Sequence, residues 1–336
     1  MIHVGVDLHR RFCYCTAVKA SGEVIVQRSV PNEAHSLRQF LRSLPEKPQV
    51  VVEACGFWPA FKRAIESAAA RVVMVHPQRV KAIASARLKN DRVDSATLAH
   101  LSRTDLLPEA WMANEDTRQL RLEVRLRVTL GRQRSRFKNL LQAVLHQEGQ
   151  IKPVTDLFGK RGRLWLAQLT LSPAAQHVVN TYLPLIDALN EQIAVEERRL
   201  EKLAARDERA RWLQTIPGIG AYSAMVILAE IGDIRRFPTK KSVASYAGLV
   251  PLVRESAGKR SYAGITRAGS DTLRWIMLQV AQVAAMHSPA ARSYYERLKQ
   301  KKRPQVAKVA LARKLLVTAY ALLHHGACYD EKIFAA

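Results

Sequence analysis

Two aspartates stand three residues apart in the stretch KNDRVDSATLAHL, which otherwise has the periodicity of an amphipathic helix. Positions i and i+3 share one helical face, so Asp91 and Asp94 would lie together. Two further acids, Asp7 and Glu53, follow apolar runs typical of β-strands. Carboxylates that converge repel one another unless cations neutralise them. An oxygen-only set selects a hard ion such as Mg²⁺ or Mn²⁺, and two such ions can assist phosphoryl transfer.

Helix capping is an alternative role for part of this set. Asp91 is a candidate N-cap, and Asp94 is a first-turn residue that the helix dipole favours. For that pair alone, capping is the simpler explanation. It does not account for Asp7 and Glu53, because each of them follows an apolar strand-like run. The four acids together therefore predict a metal site that faces nucleic acid.

The segments around these acids predict an α/β domain. Three strand-like segments between residues 2 and 30 precede a helix with Asn32 as a candidate N-cap, a buried strand that ends at Glu53, a helix, a strand and a helical region. This order, βββαβαβα, matches a ribonuclease H-like fold with a mixed sheet. In such a sheet, neighbouring strands would bring Asp7 and Glu53 side by side.

Long helices are predicted after Pro108, which divides the chain into an α/β domain (1–107), a helical connector (108–210) and a mainly α C-terminal domain (211–336). Within the connector, apolar residues occupy a and d positions: Ile186, Leu189, Ile193, Leu200 and Leu203. This short series fits a helical hairpin and a coiled coil with dimer contacts equally well.

The charge balance indicates a polyanionic partner. The chain has 53 Lys and Arg residues against 29 Asp and Glu residues, which gives a formal net charge of +24. It contains no long apolar run and no signal-peptide pattern at its N-terminus, so a cytoplasmic protein without a membrane partner is expected. The four cysteines lack zinc-site spacing, and we interpret them as reduced thiols that serve packing.

Three groups of residues are candidates for nucleic-acid contact. The first is a cationic helix face, for which a solvated surface is the alternative. The second is the glycine pair of IPGIG, similar to a helix-hairpin-helix turn, for which an ordinary helix start with Pro217 and two turn glycines is the alternative. The third is a Gly- and Ser-rich stretch, residues 253–271, that resembles a phosphate-binding loop. The residues are Arg118, Arg121, Arg125, Arg132, Arg136 and Lys138; Gly218 and Gly220; and Arg254, Lys259, Arg260, Arg267 and Arg274. The last stretch also holds serines that could attack a phosphodiester, although turn or cap roles explain each of them more simply.

The motifs GVDLHR, VVEACGFW, KNDRVDSATLA, IPGIG, ASYAGLVP and SAGKRSYAGITRAGSDTLR occur in one order along the chain. Together they resemble the DEDD-type insertion-sequence transposases, relatives of the Piv-type DNA invertases, whose recombination is guided by a bridge RNA. The resemblance implies a RuvC-like domain with Asp7, Glu53, Asp91 and Asp94 as its metal-binding tetrad. It also implies a coiled-coil connector and a C-terminal transposase domain that supplies a serine.

The resemblance places the nucleophilic serine at Ser256 in SAGK, although Ala257 departs from the family's double glycine and Ser261 and Ser270 are rivals. It further implies a covalent serine–DNA intermediate, donor and target DNA and a guide RNA as partners, and a homo-oligomer, either a dimer or a tetramer. Two rival functions remain open. One is a RuvC-like nuclease that hydrolyses branched DNA, and the other is a non-catalytic nucleic-acid-binding protein.

Overall fold

The computed structural model describes residues 1–84, 90–256, 259–266 and 268–331, with the backbone alone for 253–256 and 259–263. The chain divides into two compact units, Met1–Met112 and Ala113–Ala336. Each unit has a hydrophobic core of its own. Because the second unit is compact as a whole, a separate connector and C-terminal domain within it stay a prediction.

The first unit is built on a mixed five-stranded sheet. Its strands are β1 (His3–Leu8), β2 (Phe12–Val18), β3 (Val24–Pro31), β4 (Gln49–Glu53) and β5 (Arg71–Val75). They lie in the order β3-β2-β1-β4-β5. Strand β2 is antiparallel to β1 and β3, whereas β4 is parallel to β1 and β5. The predicted succession of hairpins and then parallel crossovers is confirmed.

Four helices of this unit are α1 (Ala34–Arg42), α2 (Trp58–Ile65), α3 (Pro77–Ile83) and α4 (Asp91–Arg103). The apolar run of β4 is continuous because both faces of this strand are buried. Val50 and Val52 are buried in one core cluster with Phe61 of α2, while Val51 is buried in another with Leu98 of α4. Alternate residues of a strand point to opposite faces, so a strand covered on both sides needs apolar residues at every position.

The N-cap predicted for α1 is wrong. The residue at that position is Glu33, whose side chain makes no capping hydrogen bond. The Asn32 side chain instead donates from Nδ2 to the backbone oxygen of His9, at 2.8 Å. The Asn32 side chain therefore makes a long-range contact and not the local capping bond that the sequence predicted. The consequence is that Asn32 ties the start of α1 to the turn after β1.

Helix α4 packs unusually close to the sheet because β1 carries a glycine. A Cβ atom added at Gly5 would lie 2.0 Å from the backbone oxygen of Ser95 and 2.5 Å from the backbone nitrogen of Ala99. A buried hydrogen bond of 2.7 Å joins the hydroxyls of Thr16 and Ser95 across the same interface. Only a residue without a side chain at position 5 allows this approach, which sets the position of the first turn of α4.

The second unit is mainly helical. Its helices are α5 (Glu115–Gln147), α6 (Lys160–Ala167), α7 (Pro173–Arg206), α8 (Glu208–Gln214), α9 (Ala221–Ile231), α10 (Lys240–Tyr246), α11 (Asp271–His287), α12 (Pro289–Lys299) and α13 (Pro304–His325). Helix α9 is the central element, since every residue from Ser223 to Ile231 is buried. No helix in the described ranges has the length and hydropathy that would let it cross a membrane.

Helices α5 and α7 pack against each other in antiparallel directions. Arg199 donates to Glu123 at 2.8 Å, and farther along the pair Arg134 donates to Asn190 at 3.0 Å. The helical-hairpin alternative thus describes the packing within this chain. A coiled coil that carries dimer contacts stays a prediction.

The loop predicted at residues 253–271 is wrong over most of its length. Two antiparallel strands, β6 (Pro251–Ser256) and β7 (Lys259–Ile265), form a two-stranded ribbon there. The polar, Gly- and Ser-rich composition suggested a loop because it cannot fill a core. A two-stranded ribbon does not require a buried face on each strand, so hydrophobic patterning gives little signal for it.

Candidate active site

The four acids predicted in the first unit line one cavity of about 470 Å³. Its wall consists of Asp7, Glu53, Asp91 and Asp94 together with His9, Val80, Lys81, Ala84, Asn90, Thr97 and Leu98. Three parts of the chain that are distant in sequence therefore meet here. We refer to this space as the acidic cavity.

The sheet positions two of the acids. In the parallel pair of β1 and β4, Val6 and Val52 are Cα partners, and Asp7 and Glu53 are the next residues of their strands. Both carboxylates thus lie at the carboxyl ends of adjacent parallel strands. Ligand sites of α/β sheets commonly lie at this edge.

Helix α4 supplies Asp91 and Asp94 from its first turn. The N-cap of this helix is Asn90, whose Oδ1 accepts a hydrogen bond of 2.8 Å from the backbone N–H of Val93. The alternative in which Asp91 caps the helix is therefore wrong. Asp91 and Asp94 instead bring two carboxylates to the cavity wall.

His9 belongs to the same cluster, although it was not among the residues predicted for the site. Its Nε2 lies 3.2 Å from Asp7 Oδ2 and 3.3 Å from Asp91 Oδ2. In GVDLH, His9 stands two residues after Asp7 but lies beyond the end of β1, so strand periodicity does not predict its direction. The side chains of Asp7, His9 and Asp91 place one donor atom each within 4.8 Å of one another, which is a spacing that can hold a metal ion.

The electrostatics of the cavity favour a bound cation. Burial raises the pKa of Asp7 above its ordinary value, His9 opposes this shift, and the negative charges of Asp91 and Asp94 add to it. A raised pKa means that ionising Asp7 in the folded protein is unfavourable without a compensating positive charge. A divalent cation would supply that charge, and carboxylate oxygens are the ligands that Mg²⁺ and Mn²⁺ prefer. The residues present therefore fit such an ion.

The candidate serines lie in the second unit. Ser256 ends β6 and is the register partner of Lys259, but its side chain is outside the described residues, as is that of Ser261. Ser270 is the N-cap of α11: its Oγ accepts from the backbone N–H of Leu273 at 3.0 Å and donates to Glu230 Oε2 at 2.9 Å. The hydroxyl of Ser270 thus already serves a structural role.

Most cationic residues predicted for nucleic-acid contact bind other parts of the second unit. Arg121 donates to the backbone oxygens of Ala229 and Glu230, and Arg125 forms a two-point ion pair with the Glu230 carboxylate. Further contacts join Arg118 to Glu115, Arg132 to Asp271, Lys138 to the ring of Phe158, and Arg274 to the backbone oxygen of Ala247. The side chains of Arg254, Lys259 and Arg260 and the whole of Arg267 lie outside the described residues.

Arg132 and Arg136 differ from the other arginines of α5 because they line an open groove. The groove has a volume of about 580 Å³, and its other lining residues are Gly131, Ser135, Asn139, Leu140 and Trp275. Arg136 has no ion-pair partner among the residues that the structure describes. The groove thus combines cationic groups with an aromatic ring, which is a composition that suits nucleic acid.

The two glycines of IPGIG have different environments. Gly218 has φ +86°, and a Cβ atom there would lie 2.6 Å from the backbone oxygen of Val280. Its absent side chain therefore serves the packing of the turn against α11. A Cβ atom at Gly220, the N-cap of α9, would meet nothing within 4 Å. Helices α8 and α9 flank this stretch. The helix-hairpin-helix resemblance and the phosphate contact stay predictions.

Comparison with known families matches both units. Residues 4–149 match a family model described as a transposase of the DEDD type of IS110, and residues 210–296 match one described as the transposase IS116/IS110/IS902 family. Together the two matches cover about two thirds of the chain. All four acids lie within the first match and all three candidate serines within the second.

Curated relatives extend the match over nearly the whole chain. The transposase for insertion sequence element IS1111A of Coxiella burnetii is 24% identical over 97% of this chain and 90% of its own length. The transposase for IS1328 of Yersinia enterocolitica is 26% identical over 83% of each chain. The pilin gene-inverting protein of Moraxella bovis is 26% identical over 84% of this chain and 82% of its own length.

These matches and the acidic cavity define an enzyme class, the insertion-sequence transposases. Within that class, the chain belongs to the IS116/IS110/IS902 family of transposases, with a DEDD-type N-terminal domain. Family membership implies that its activity is DNA recombination and that DNA is a partner.

Proposed function

We propose that this chain is an RNA-guided recombinase that acts in the cytoplasm and exchanges DNA strands through an acidic metal site and a serine nucleophile. The observation that carries the proposal is the meeting of Asp7, Glu53, Asp91 and Asp94 at one cavity. These residues come from two strands and one helix, and the DEDD-type family model spans all of them. The strand order β3-β2-β1-β4-β5 supports a ribonuclease H-like assignment for this unit.

The acids have defined tasks in this proposal. Asp7 and Glu53, fixed at the ends of parallel strands, and Asp91 and Asp94, fixed by the docking of α4, hold Mg²⁺ or Mn²⁺. When bound, such an ion would supply the positive charge that stabilises phosphoryl transfer. Lys81, at the cavity wall, adds a positive charge that favours the approach of a phosphate.

The proposed nucleophile is Ser256. Its Oγ loses a proton and forms a bond to phosphorus, while the bond from phosphorus to the 3′ oxygen breaks and that oxygen takes up a proton. The product is a serine linked to a 5′ phosphate. Attack by a 3′-hydroxyl from a second strand then releases the serine and joins the strands. The capping bond of Ser270 and its bond to Glu230 support Ser256 over Ser270.

RNA guidance and assembly into a dimer or tetramer complete the proposal. The net charge of +24 supports binding of a second nucleic acid besides DNA, because double-stranded RNA is recognised largely through its phosphates and 2′-hydroxyls. The relatives named as transposases and as a pilin gene-inverting protein support strand exchange as the outcome. A homo-oligomer would hold two DNA duplexes at once.

The test is to mix the full chain with RNA transcribed from the flanks of its gene, labelled donor and target DNA, and Mg²⁺. A denaturing gel should show DNA linked to protein, and the band should disappear in EDTA, with Asp94→Asn and with Ser256→Ala. Matched controls are Asp116→Asn on α5 and Ser245→Ala on α10, which replace exposed residues outside the site and should keep the band.

Each alternative has its own result in this experiment. Cleavage that yields free 5′ phosphates without a linked band would support the hydrolytic nuclease. A linked band that persists in Ser256→Ala would move the nucleophile to Ser261. Binding without any cleavage, unchanged by Asp7→Ala and Glu53→Ala, would support a non-catalytic protein. A linked band that forms without the RNA would refute RNA guidance but would leave the metal site and the serine nucleophile in place.

A further inference from the structure

We propose that His9 is a direct ligand, through Nε2, of the divalent cation at the acidic cavity. The inference rests on the metal site of the proposed function and adds a nitrogen donor to a set otherwise made of oxygens. Its starting point is an anomaly in the geometry of one atom. His9 Nε2 is buried, and none of the residues that the structure describes forms a hydrogen bond with it.

His9 Nε2 makes no hydrogen bond even though two carboxylate oxygens lie within ion-pair distance of it. Nε2 is 3.2 Å from Asp7 Oδ2 and 3.3 Å from Asp91 Oδ2, yet neither contact has the alignment of a hydrogen bond. A buried polar atom that makes no hydrogen bond is costly, and an ion or a water that completes the site is one of the recognised explanations for it. Donors that converge on one point, rather than on each other, are the arrangement that a metal ion requires.

The distances agree with coordination geometry. In an octahedral site with bonds of about 2.1 Å, adjacent donor atoms lie about 3 Å apart. The separations of 3.2 and 3.3 Å from Nε2 to the two oxygens are close to that value. The three donor atoms of Asp7, His9 and Asp91 also lie within 4.8 Å of one another, so a single ion can reach them all.

The position of the imidazole is fixed from outside the acidic cluster. The His9 backbone N–H donates to Phe12 at 3.0 Å, and the His9 oxygen accepts from the Asn32 side chain at 2.8 Å. The ring of His9 packs against the ring of Phe12, with 4.8 Å between the centroids. The ligand is therefore held in place before a cation binds, which lowers the ordering cost of coordination.

A nitrogen ligand changes the preferred ion. Imidazole binds transition metals better than it binds Mg²⁺, whereas carboxylates suit Mg²⁺ and Mn²⁺ alike. A site with His9 should thus favour Mn²⁺ over Mg²⁺ more strongly than the four carboxylates would alone. Replacing His9 should weaken Mn²⁺ binding at least tenfold and Mg²⁺ binding less.

The experiment loads the full-length metal-free protein with Mn²⁺ alone and records pulsed EPR. Wild type should show ¹⁴N modulation from a coordinated imidazole. His9→Phe, which keeps an aromatic ring beside Phe12, should lose the modulation. His35→Phe, on the exposed surface of α1, should keep it. Mn²⁺ affinity, and Mg²⁺ affinity by displacement, are measured on the same samples, and circular dichroism confirms that the variants are folded.

The outcomes separate this inference from the proposed function. Mn²⁺ bound to wild type without ¹⁴N modulation, or with equal affinity in His9→Phe, would refute the ligand role of His9 and leave the carboxylate site intact. Failure of wild type to bind Mn²⁺ would refute both. Because the wild-type spectrum is itself a test, the result does not depend on the folding of any variant.

Discussion

The ion pair between Arg125 and Glu230 gives a quantitative test of the second unit. Glu230 is 1% exposed, and its two carboxylate oxygens accept hydrogen bonds of 3.0 and 3.1 Å from Arg125. Ser270 donates to the same carboxylate at 2.9 Å. Removing one member of a buried pair leaves a charge uncompensated and costs about 3–5 kcal/mol. Because Glu230 is the more buried partner, loss of Arg125 should destabilise the fold more than loss of the Glu230 charge.

The asymmetry of burial sets the size of each effect. The Arg125 side chain is 54% exposed, so water can partly replace it, and we expect Arg125→Met to lower the free energy of unfolding by about 2–3 kcal/mol. Glu230→Gln keeps the shape and leaves a guanidinium that water can hydrate, so its expected cost is about 1 kcal/mol. The double variant should be destabilised by less than the sum of the two single variants, with a coupling free energy of about 1 kcal/mol or more.

The assay is urea unfolding followed by tryptophan fluorescence, since Trp212 and Trp275 pack against the core of this unit. Arg136→Met on the same helix is the matched control and should change the unfolding free energy by less than about 0.5 kcal/mol. A cost for Arg125→Met no larger than for Glu230→Gln, or strict additivity in the double variant, would refute the reasoning.

Four further predictions concern other sites. Arg136→Ala should lower the slope of log K against log salt for nucleic-acid binding by about one, measured by fluorescence anisotropy, if the groove binds phosphate as we expect. The raised pKa of Asp7 means that the metal-free folded protein gains stability from this group below the unfolded pKa of about 4 and loses it as the pH rises through the folded pKa. Asp7→Asn should therefore melt higher than wild type in EDTA at pH 7, with the difference smaller at pH 4. Gly5→Ala should abolish Mn²⁺ binding with all four acids intact, because its Cβ would displace α4. At pH 8 Cys328 should react with a disulfide reagent, whereas Cys13, whose pKa burial raises to about 12, should not.

Each of these four has a contradicting result. An unchanged slope for Arg136→Ala would contradict a role in nucleic-acid binding for the open groove that Arg136 lines. A lower melting temperature for Asp7→Asn in EDTA would show that Asp7 stabilises the metal-free fold. Retained Mn²⁺ affinity in Gly5→Ala would show that α4 can move without loss of the site. Rapid reaction of Cys13 in the native protein would show that its strand opens.

The sheet of the first unit could be predicted because its pattern is local. Richness in β-branched and aromatic residues marked β1 to β3, and the continuous run QVVVE marked a strand buried on both faces. The ribbon of β6 and β7 was missed because its polar, Gly- and Ser-rich sequence lacks the apolar alternation that marks a strand. The cap at Asn32 was wrong for a different reason, since its partner, the backbone oxygen of His9, is 23 residues away.

The cationic face of α5 shows where charge patterning stops being informative. Arg121, Arg125 and Arg136 have equivalent helical spacing and the same charge. Arg121 and Arg125 bind the carboxyl end of α9, where they donate to two backbone oxygens and to the Glu230 carboxylate. Arg136 instead lines an open groove. Arg125 differs from Arg136 because it meets the buried Glu230, which lies about 100 residues later in the chain. Sequence spacing identifies the set, but only the tertiary partner decides which members neutralise the protein's own charge.

The same limit governs the acidic cavity. Strand pairing alone places Asp7 beside Glu53, since each follows a residue of one parallel register pair. The approach of Asp91 depends on a glycine at position 5, because any side chain there would clash with the backbone of α4. The direction of His9 depends on the turn after β1 and on the Asn32 contact. The number of donors at the acidic cavity thus depends, besides strand pairing, on two long-range contacts, that of Gly5 with α4 and that of Asn32 with His9, which residue types alone do not reveal.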